Sequence, residues 1–309
     1  MKILLTSTSF QDTPGKHQEL LAQQNFEVDY LRGPLKEEIL LPIIGKYDGL
    51  ICGDDEITEE VIRKGKEGKL KVISKYGIGL DKIDLNAAKK YDIPVTNTPG
   101  VNHIAVAEHT LALIFTYYKN IYKSIKVTKK AKWERPIGNE IYGKSILLIG
   151  LGRIGKELAL RAKALGLFVY ATDIITENEF IANNNINFIN NISEIITEID
   201  ILSINCPLTT ETKNLINKEV LENCKKELII VNTARAGVIN QADLIWLLEN
   251  QKITAYLTDV LDQEPITCNN PLLKFKNVFI TPHIGSRTFE SVERQGIAAI
   301  KNLLNNVKN

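Results

Sequence analysis

Cysteine is scarce in this chain of 309 residues, and the four present, Cys52, Cys206, Cys224 and Cys268, lie far apart with no C-x-x-C pair. That spacing excludes a disulfide framework and a cysteine zinc site, and it suits reduced thiols in a cytoplasmic protein. Excess charge is missing too. Lysine and arginine total 38 against 37 acidic residues, a formal net charge of +1. No global field therefore draws the chain to nucleic acid or to an anionic membrane. Long apolar runs are also absent. The stretch Met1–Ser7 is too short for a signal peptide, and Glu108 and His109 interrupt Ile104–Tyr118, the most apolar long segment. No segment reaches the roughly 18 apolar residues that suggest a membrane span. There is no internal repeat, no low-complexity tract and no metal-ligand pattern.

What remains is an ordinary globular composition, 44% hydrophobic and 24% charged. The length suits two domains of roughly 100–200 residues each. In the first third, apolar runs at Lys2–Thr6, Glu27–Leu31, Gly49–Cys52, Lys71–Lys75 and Pro94–Asn97 read as strands. Amphipathic stretches at His17–Gln24, Lys36–Ile44, Thr58–Lys64 and Asp84–Lys90 read as helices between them. Such alternation predicts a parallel sheet covered by helices. After the break at Thr98–Gly100, a long helix is expected over Asn102–Lys119. A second series then begins, with strands at Ser145–Gly150, Leu167–Thr172, Ile201–Asn205, Leu228–Asn232, Ile253–Thr258 and Asn277–Thr281. Its helices are expected at Ile154–Leu165, Ile192–Glu198, Lys218–Asn223 and Gln241–Glu249, and Asn183–Asn191 reads as a loop around a short strand. The last amphipathic run, Thr288–Val307, follows the final strand of this series, and Lys301–Asn309 reads as its frayed end. The run is expected to return to the first domain. The expected fold is α/β: a Rossmann-type doubly wound cofactor domain, residues 98–286, inserted into a discontinuous flavodoxin-like substrate domain, residues 1–97 plus 287–309.

The strand Ser145–Ile149 runs into G-x-G-x-x-G at Gly150, Gly152 and Gly155, and a helix follows. The first glycine allows a tight turn, the second lets backbone approach a pyrophosphate, and the third lets helix pack against strand. The helix N-terminus offers amides and a positive dipole end to the diphosphate. Asp173 ends the next strand, close to the expected spacing of about 20 residues. A carboxylate there accepts from ribose hydroxyls and repels a 2′-phosphate, and Ile174 and Ile175 follow with no arginine, so NAD is favoured over NADP.

Arg235, Glu264 and His283 stand after late strands, where ligands of open α/β sheets bind. Their surroundings resemble the D-isomer-specific 2-hydroxyacid dehydrogenases: V-N-T-A-R-A-G-V-I-N at Val231–Asn240, T-D-V-L-D-Q-E-P at Thr258–Pro265 and T-P-H-I-G-S at Thr281–Ser286. So do K-Y-G-I-G-L-D at Lys75–Asp81, N-T-P-G at Asn97–Gly100, V-A-E-H-T at Val106–Thr110 and C-P-L-T-T-E-T at Cys206–Thr212. These blocks keep the family's order and span nearly the whole chain. The resemblance implies that His283 gives a proton to the substrate carbonyl oxygen as NADH delivers hydride. It implies that Glu264 holds the imidazole in its protonated form and that Arg235 binds the carboxylate of a 2-oxo acid. It places Lys75 and the backbone of Tyr76, Gly77 and Ile78 at the substrate carboxylate, and Asp259 at the nicotinamide carboxamide. Arg153, Ile154, Cys206, Pro207, Thr212, Thr233, Ala234, Arg235, His283 and Gly285 complete the implied cofactor contacts. A homodimer is implied, with Asn102–Lys119 and the Lys126–Ile141 excursion as its arms.

Within the family, Lys71–Asn97 and Val231–Asn240 look most like short 3-phosphoglycerate dehydrogenases, which act in serine biosynthesis. The first-ranked substrate pair is therefore 3-phosphoglycerate and 3-phosphohydroxypyruvate. Glyoxylate or hydroxypyruvate reduction is the alternative, and an NAD-sensing corepressor is a remote one. Lys75 and Arg135 are the candidate cations for a phosphate, opposed by the acidic run Gly53–Glu56. Lys75 stands where arginine is frequent, Asn205 for a frequent histidine, Ala236 for a frequent glycine, and Tyr256 and Thr258 where small and apolar residues are usual. With the chain ending at Asn309, no C-terminal regulatory domain is expected.

Overall fold

The computed structural model describes residues 1–307. Of the frayed end expected over Lys301–Asn309, residues 301–307 instead continue the last helix, and Lys308 and Asn309 lie outside the described residues. Two compact units form, one of Met1–Asn102 with the described part of Ser286–Asn309, the other of His103–Gly285.

The first unit contains β1 (Lys2–Leu5), β2 (Glu27–Tyr30), β3 (Gly49–Cys52), β4 (Val72–Lys75) and β5 (Val95–Thr96). They are parallel, in the order β2-β1-β3-β4-β5. This is the flavodoxin-like order, whose switch point lies between β1 and β3. Strands β3 and β4 are buried along their whole length. Their near-continuous apolar runs follow from helices on both faces. Alternate residues go to opposite sides: Leu4, Leu50 and Ile73 pack with Leu40, Ile44, Val61 and Ile62. On the other face Ile3, Leu5, Ile51 and Val72 meet Phe10, Leu21 and the helix Phe289–Val307 through Val292, Ala299, Ile300 and Leu303. Ser74 Oγ donates to the Ala299 carbonyl at 2.8 Å. The last helix is thus part of the first unit's core.

The second unit contains β6 (Ser145–Ile149), β7 (Phe168–Thr172), β8 (Asn187–Phe188), β9 (Ile201–Ile204), β10 (Ile229–Asn232), β11 (Ala255–Thr258) and β12 (Val278–Ile280). The order β12-β11-β10-β9-β6-β7-β8, all parallel, is the Rossmann arrangement extended by one strand. Its register aligns the strand ends in one row. Thr172, Ile149, Ile204, Asn232, Thr258 and Ile280 are successive partners across the sheet. Every loop that follows these strands therefore starts at the same level.

Some expected helices differ. Lys218–Asn223 forms turns, because so short a run does not repay helix nucleation. The Asn217 side chain caps it instead, accepting the Val220 amide at 3.0 Å. Ile192–Glu198 shrinks to a 3-10 turn, Ile192–Glu194, closed by an Asn191 and Glu194 capping box. Lys36–Ile44 divides into the helix Glu37–Leu40 and the 3-10 turn Ile44–Lys46. Three helices were not expected: Thr8–Asp12, Ile121–Thr128 and Asn178–Asn183. Among the described residues, no helix is long and apolar enough to cross a membrane.

Candidate active site

The strand β6 ends at Gly150, which has φ 100 and therefore excludes most side chains. A Cβ there would also lie 2.8 Å from the Cys206 amide nitrogen, because the turns after β6 and β9 touch. At Gly155 a Cβ would meet the Gly150 carbonyl oxygen, so the helix Arg153–Ala164 rests directly on the turn. Gly152 borders open space. A backbone cradle with free room at its second glycine and a twelve-residue helix behind it fits a dinucleotide diphosphate. Arg153 is exposed there and Ile154 half-buried. Asp173, after β7, accepts the Leu151 amide at 2.6 Å and the Ile175 amide at 3.0 Å. Its carboxylate is thereby fixed to the glycine turn. After β9, Thr212 Oγ1 donates to the Pro207 carbonyl at 2.6 Å and accepts the Thr209 amide at 2.7 Å, which closes that loop on itself. Burial pushes the Cys206 thiol up to about 11, so it sits there as a neutral thiol.

The loops after β10, β11 and β12 are fastened by buried polar groups. Asn232 is fully buried; its Oδ1 accepts the Ala234 amide at 3.0 Å and its Nδ2 donates to the Arg235 carbonyl at 2.9 Å. Thr233 Oγ1 lies 2.9 Å from Thr110 Oγ1 of the helix His103–Tyr118. The Arg235 guanidinium donates to the Ala234 carbonyl at 2.8 Å. Beneath this loop, Tyr256 OH donates to Thr258 Oγ1 at 3.2 Å, and Thr258 Oγ1 donates to the Val260 carbonyl at 2.8 Å. Burial pushes the Tyr256 phenol up to about 12, so it remains a neutral donor. These polar residues at unusual positions are thus hydrogen-bonded inside the sheet edge.

Asp259 follows β11 and is 2% exposed. It accepts Thr281 Oγ1 at 2.5 Å, the Ile284 amide at 2.9 Å and the Gly285 amide at 2.7 Å, and His109 Nε2 stands 3.4 Å away. Burial opposes its ionisation, but the bonds from His109, Thr281 and the two amides outweigh burial and hold its pKa below the usual carboxylate range. His283 sits between these anchors with φ 53, a left-handed backbone uncommon for a non-glycine residue. Its Nδ1 is 2.7 Å from Glu264 Oε2, and Glu264 Oε1 accepts the Leu261 amide at 2.9 Å. Both side chains are about one-third exposed, 32% and 33%. A carboxylate at this distance keeps the hydrogen on Nδ1 and fixes the tautomer and orientation of the ring. Sequence reasoning gave His109, Thr281 and Asn232 no role, although all three lie inside the motifs it quoted.

In the first unit, Lys75 ends β4 with its side chain 4% exposed. Its Nζ donates to Asp54 Oδ1 at 2.6 Å and to the Gly53 carbonyl at 2.5 Å. The anion-binding amides expected at Tyr76 and Gly77 need correction. Tyr76 N–H donates to the Cys52 carbonyl at 2.8 Å, because the β3–β4 ladder continues through it. Gly77, at φ 127, donates to Thr98 Oγ1 at 3.0 Å. The Ile78 carbonyl accepts from Asn97 at 2.9 Å. Among the described residues, no group of three or more His, Cys, Asp or Glu side chains is placed to hold a metal ion.

A parallel doubly wound sheet with a glycine cradle after its first strand and an anchored acid after its second defines a dinucleotide-binding domain. The model of the D-isomer specific 2-hydroxyacid dehydrogenase, NAD binding domain, matches residues 111–285, and the chain belongs to this family. It is 34% identical to a D-3-phosphoglycerate dehydrogenase of Archaeoglobus fulgidus, over 94% of this chain and 55% of that protein. It is 38% identical to a glyoxylate reductase of Thermofilum pendens, over 88% of this chain and 81% of that protein. A solved structure of a Thermus thermophilus protein superposes with a TM-score of 0.88 at 33% identity, covering 100% of this chain and 97% of that one. The chain spans about half the length, 55%, of the phosphoglycerate dehydrogenases of A. fulgidus and Methanocaldococcus jannaschii that it matches.

The depressed Asp259 pKa fixes a sign. A carboxylate held low in the folded state stabilises above its unfolded value of about 3.9 and loses that contribution as pH falls through the folded value. Asp259→Asn should cost on the order of 1–3 kcal/mol at pH 7. Thermal unfolding across pH should show the gap to wild type shrinking below about pH 4. A pH-independent gap would contradict the clamp.

Proposed function

We propose that this protein is an NAD-dependent D-2-hydroxyacid dehydrogenase that interconverts a short 2-oxo acid and its D-2-hydroxy acid. The observation that carries the reading is the 2.7 Å contact between His283 Nδ1 and Glu264 Oε2 on a strand edge that also bears Arg235. When bound, NADH supplies hydride to the carbonyl carbon. His283 Nε2 gives its proton to the carbonyl oxygen, and Glu264 holds the ring so that Nε2 is the donor. Arg235 pairs with the substrate carboxylate and polarises the carbonyl with a fixed charge. In the opposite direction His283 takes the hydroxyl proton.

Gly150, Gly152 and Gly155 receive the diphosphate at the helix N-terminus, with Arg153 and Ile154 beside it, and Asp173 accepts from the adenosine ribose. Cys206, Pro207 and Thr212 border the adenosine side. Thr233, Ala234, Asp259 and Gly285 line the nicotinamide side. Lys75 and the loop to Ile78 serve the substrate, and of the three amides expected at its carboxylate, those of Tyr76, Gly77 and Ile78, that of Ile78 keeps the role. The substrate is one of the short 2-oxo acids, 3-phosphohydroxypyruvate, hydroxypyruvate or glyoxylate. A cytoplasmic homodimer belongs to the same reading. The helix Ile121–Thr128 buries none of its residues, and Trp133, Ile137 and Tyr142 are 83%, 94% and 78% exposed. So much exposed apolar surface suits a second copy.

Replacing His283 by alanine should lower kcat by about 10²–10⁴ while NADH binding, read by fluorescence, stays intact. Near-wild-type turnover would remove His283 from the proton path. Asp173→Ala should erase the preference for NADH over NADPH, measured as a ratio of kcat/KM, and an unchanged ratio would refute the ribose assignment. Light scattering during gel filtration should give twice the chain mass. A monomer that retains full activity would exclude the dimer.

A further inference from the structure

Two consecutive residues of the helix His103–Tyr118 reach the loops that carry Arg235 and His283. Thr110 Oγ1 lies 2.9 Å from Thr233 Oγ1, two residues before Arg235. His109 Nε2 lies 2.9 Å from Thr281 Oγ1, two residues before His283, and 3.4 Å from Asp259 Oδ1. The hydrogen count at Thr281 fixes the direction of this contact. A threonine hydroxyl has one hydrogen. Asp259 Oδ1 is 2.5 Å from Thr281 Oγ1 and the Thr258 carbonyl 3.5 Å, so that hydrogen goes to the carboxylate. Thr281 Oγ1 is then an acceptor toward the ring, and His109 Nε2 carries a hydrogen and donates it. Donation runs from His109 through Thr281 to Asp259. Asp259 in turn accepts the Ile284 and Gly285 amides, and the Thr281 carbonyl accepts the His283 amide at 3.0 Å. His283 is therefore tied on its N-terminal side to Thr281 and on its C-terminal side to residues that Asp259 holds. The His109 ring also backs the second tie: a Cβ at Gly285 would lie 3.5 Å from His109 Cδ2 and 3.0 Å from Asp259 Oδ2.

We infer that His109 is a positioning residue for His283: its Nε2–H, acting through Thr281 and Asp259, holds the His283 segment where proton transfer needs it. The inference rests on the reading of His283 as the proton donor. Glu264 meets the His283 ring, but the left-handed backbone of His283, φ 53, needs a hold of its own. Such a conformation relaxes when its neighbours are released. Without a donor at the His109 position, Thr281 Oγ1 loses one partner, and its hydroxyl is free to turn toward the Thr258 carbonyl. Asp259 Oδ1 would then keep the Ile284 amide alone. A displacement of about 1 Å at a reacting group costs up to about 10²-fold in rate.

The test measures kcat with glyoxylate, hydroxypyruvate and 3-phosphohydroxypyruvate, and NADH binding by fluorescence, in the wild type and in variants. His109→Phe keeps a ring but no donor. Its kcat with the best of these acids should fall about 10–100-fold, while the NADH Kd changes by less than about threefold. His109→Gln carries an amide nitrogen as many bonds from the main chain as Nε2, and it should recover most of the wild-type kcat. Thr281→Val cuts the same chain at its next link, and it carries the test by itself if His109→Phe does not fold. Combined with His109→Phe, it should lower kcat no further than the larger single loss, because both act through one chain. A packing role for His109 predicts the reverse order, with Phe tolerated and Gln impaired. That order, wild-type kcat in both His109→Phe and Thr281→Val, or losses that multiply in the double variant, overturns the inference and leaves the dehydrogenase reading standing. No oxidation of NADH by the wild type with any of the three acids overturns the dehydrogenase reading and this inference with it.

Discussion

A single buried carboxylate, Asp259, holds together the part of this protein that bears His283. Its oxygens gather a threonine hydroxyl and two consecutive amides from the segment after β12, with His109 of the helix His103–Tyr118 beside them. A buried charge without those donors would cost more than the loop could return. With them, the end of β11 and the His283 segment become one piece. The left-handed backbone of His283 persists because its neighbours on the C-terminal side, Ile284 and Gly285, are bound to Asp259. Strain of this kind survives only where the surroundings over-determine it.

The sheet supplies the second constraint. Parallel pairing in one register brings six strand ends to a common level, so chemistry far apart in the chain starts from one edge. The glycine turn, Asp173, the arginine loop and the histidine segment all leave that row. Asn232 and the Tyr256–Thr258 pair then set the direction of the arginine loop. The cofactor selection and proton transfer proposed for this protein would therefore belong to loops whose starting points the register fixes.

Much of this was legible in the sequence. Period and apolar runs placed the strands within a residue or two, because fully buried parallel strands such as β3, β4 and β10 leave an unmistakable apolar signature. The glycine spacing and Asp173 marked the cofactor edge, since only backbone approach and a fixed acid serve there. Arg235, Glu264 and His283 were visible through motif resemblance, although their contacts were not. What stayed hidden were long-range polar partnerships. The acidic run Gly53–Glu56 was expected to oppose Lys75, but nothing local in Asp54 predicts that it pairs with Lys75 directly. The Tyr76 and Gly77 amides misled for the same reason, their partners Cys52 and Thr98 being remote in sequence. Short helices such as Thr8–Asp12 and Asn178–Asn183 carry too few residues for a periodic signal.

The central claim is that the edge bearing Arg235, Glu264 and His283 transfers hydride and a proton to a 2-oxo acid. Its most direct test follows NADH absorbance while the wild-type protein is offered a set of short 2-oxo acids, and then resolves the product by chirality. NADH oxidation that yields the D-2-hydroxy acid in one-to-one amount is the predicted result. Tight NADH binding with no oxidation by any of these acids, or formation of the L-product, would contradict it.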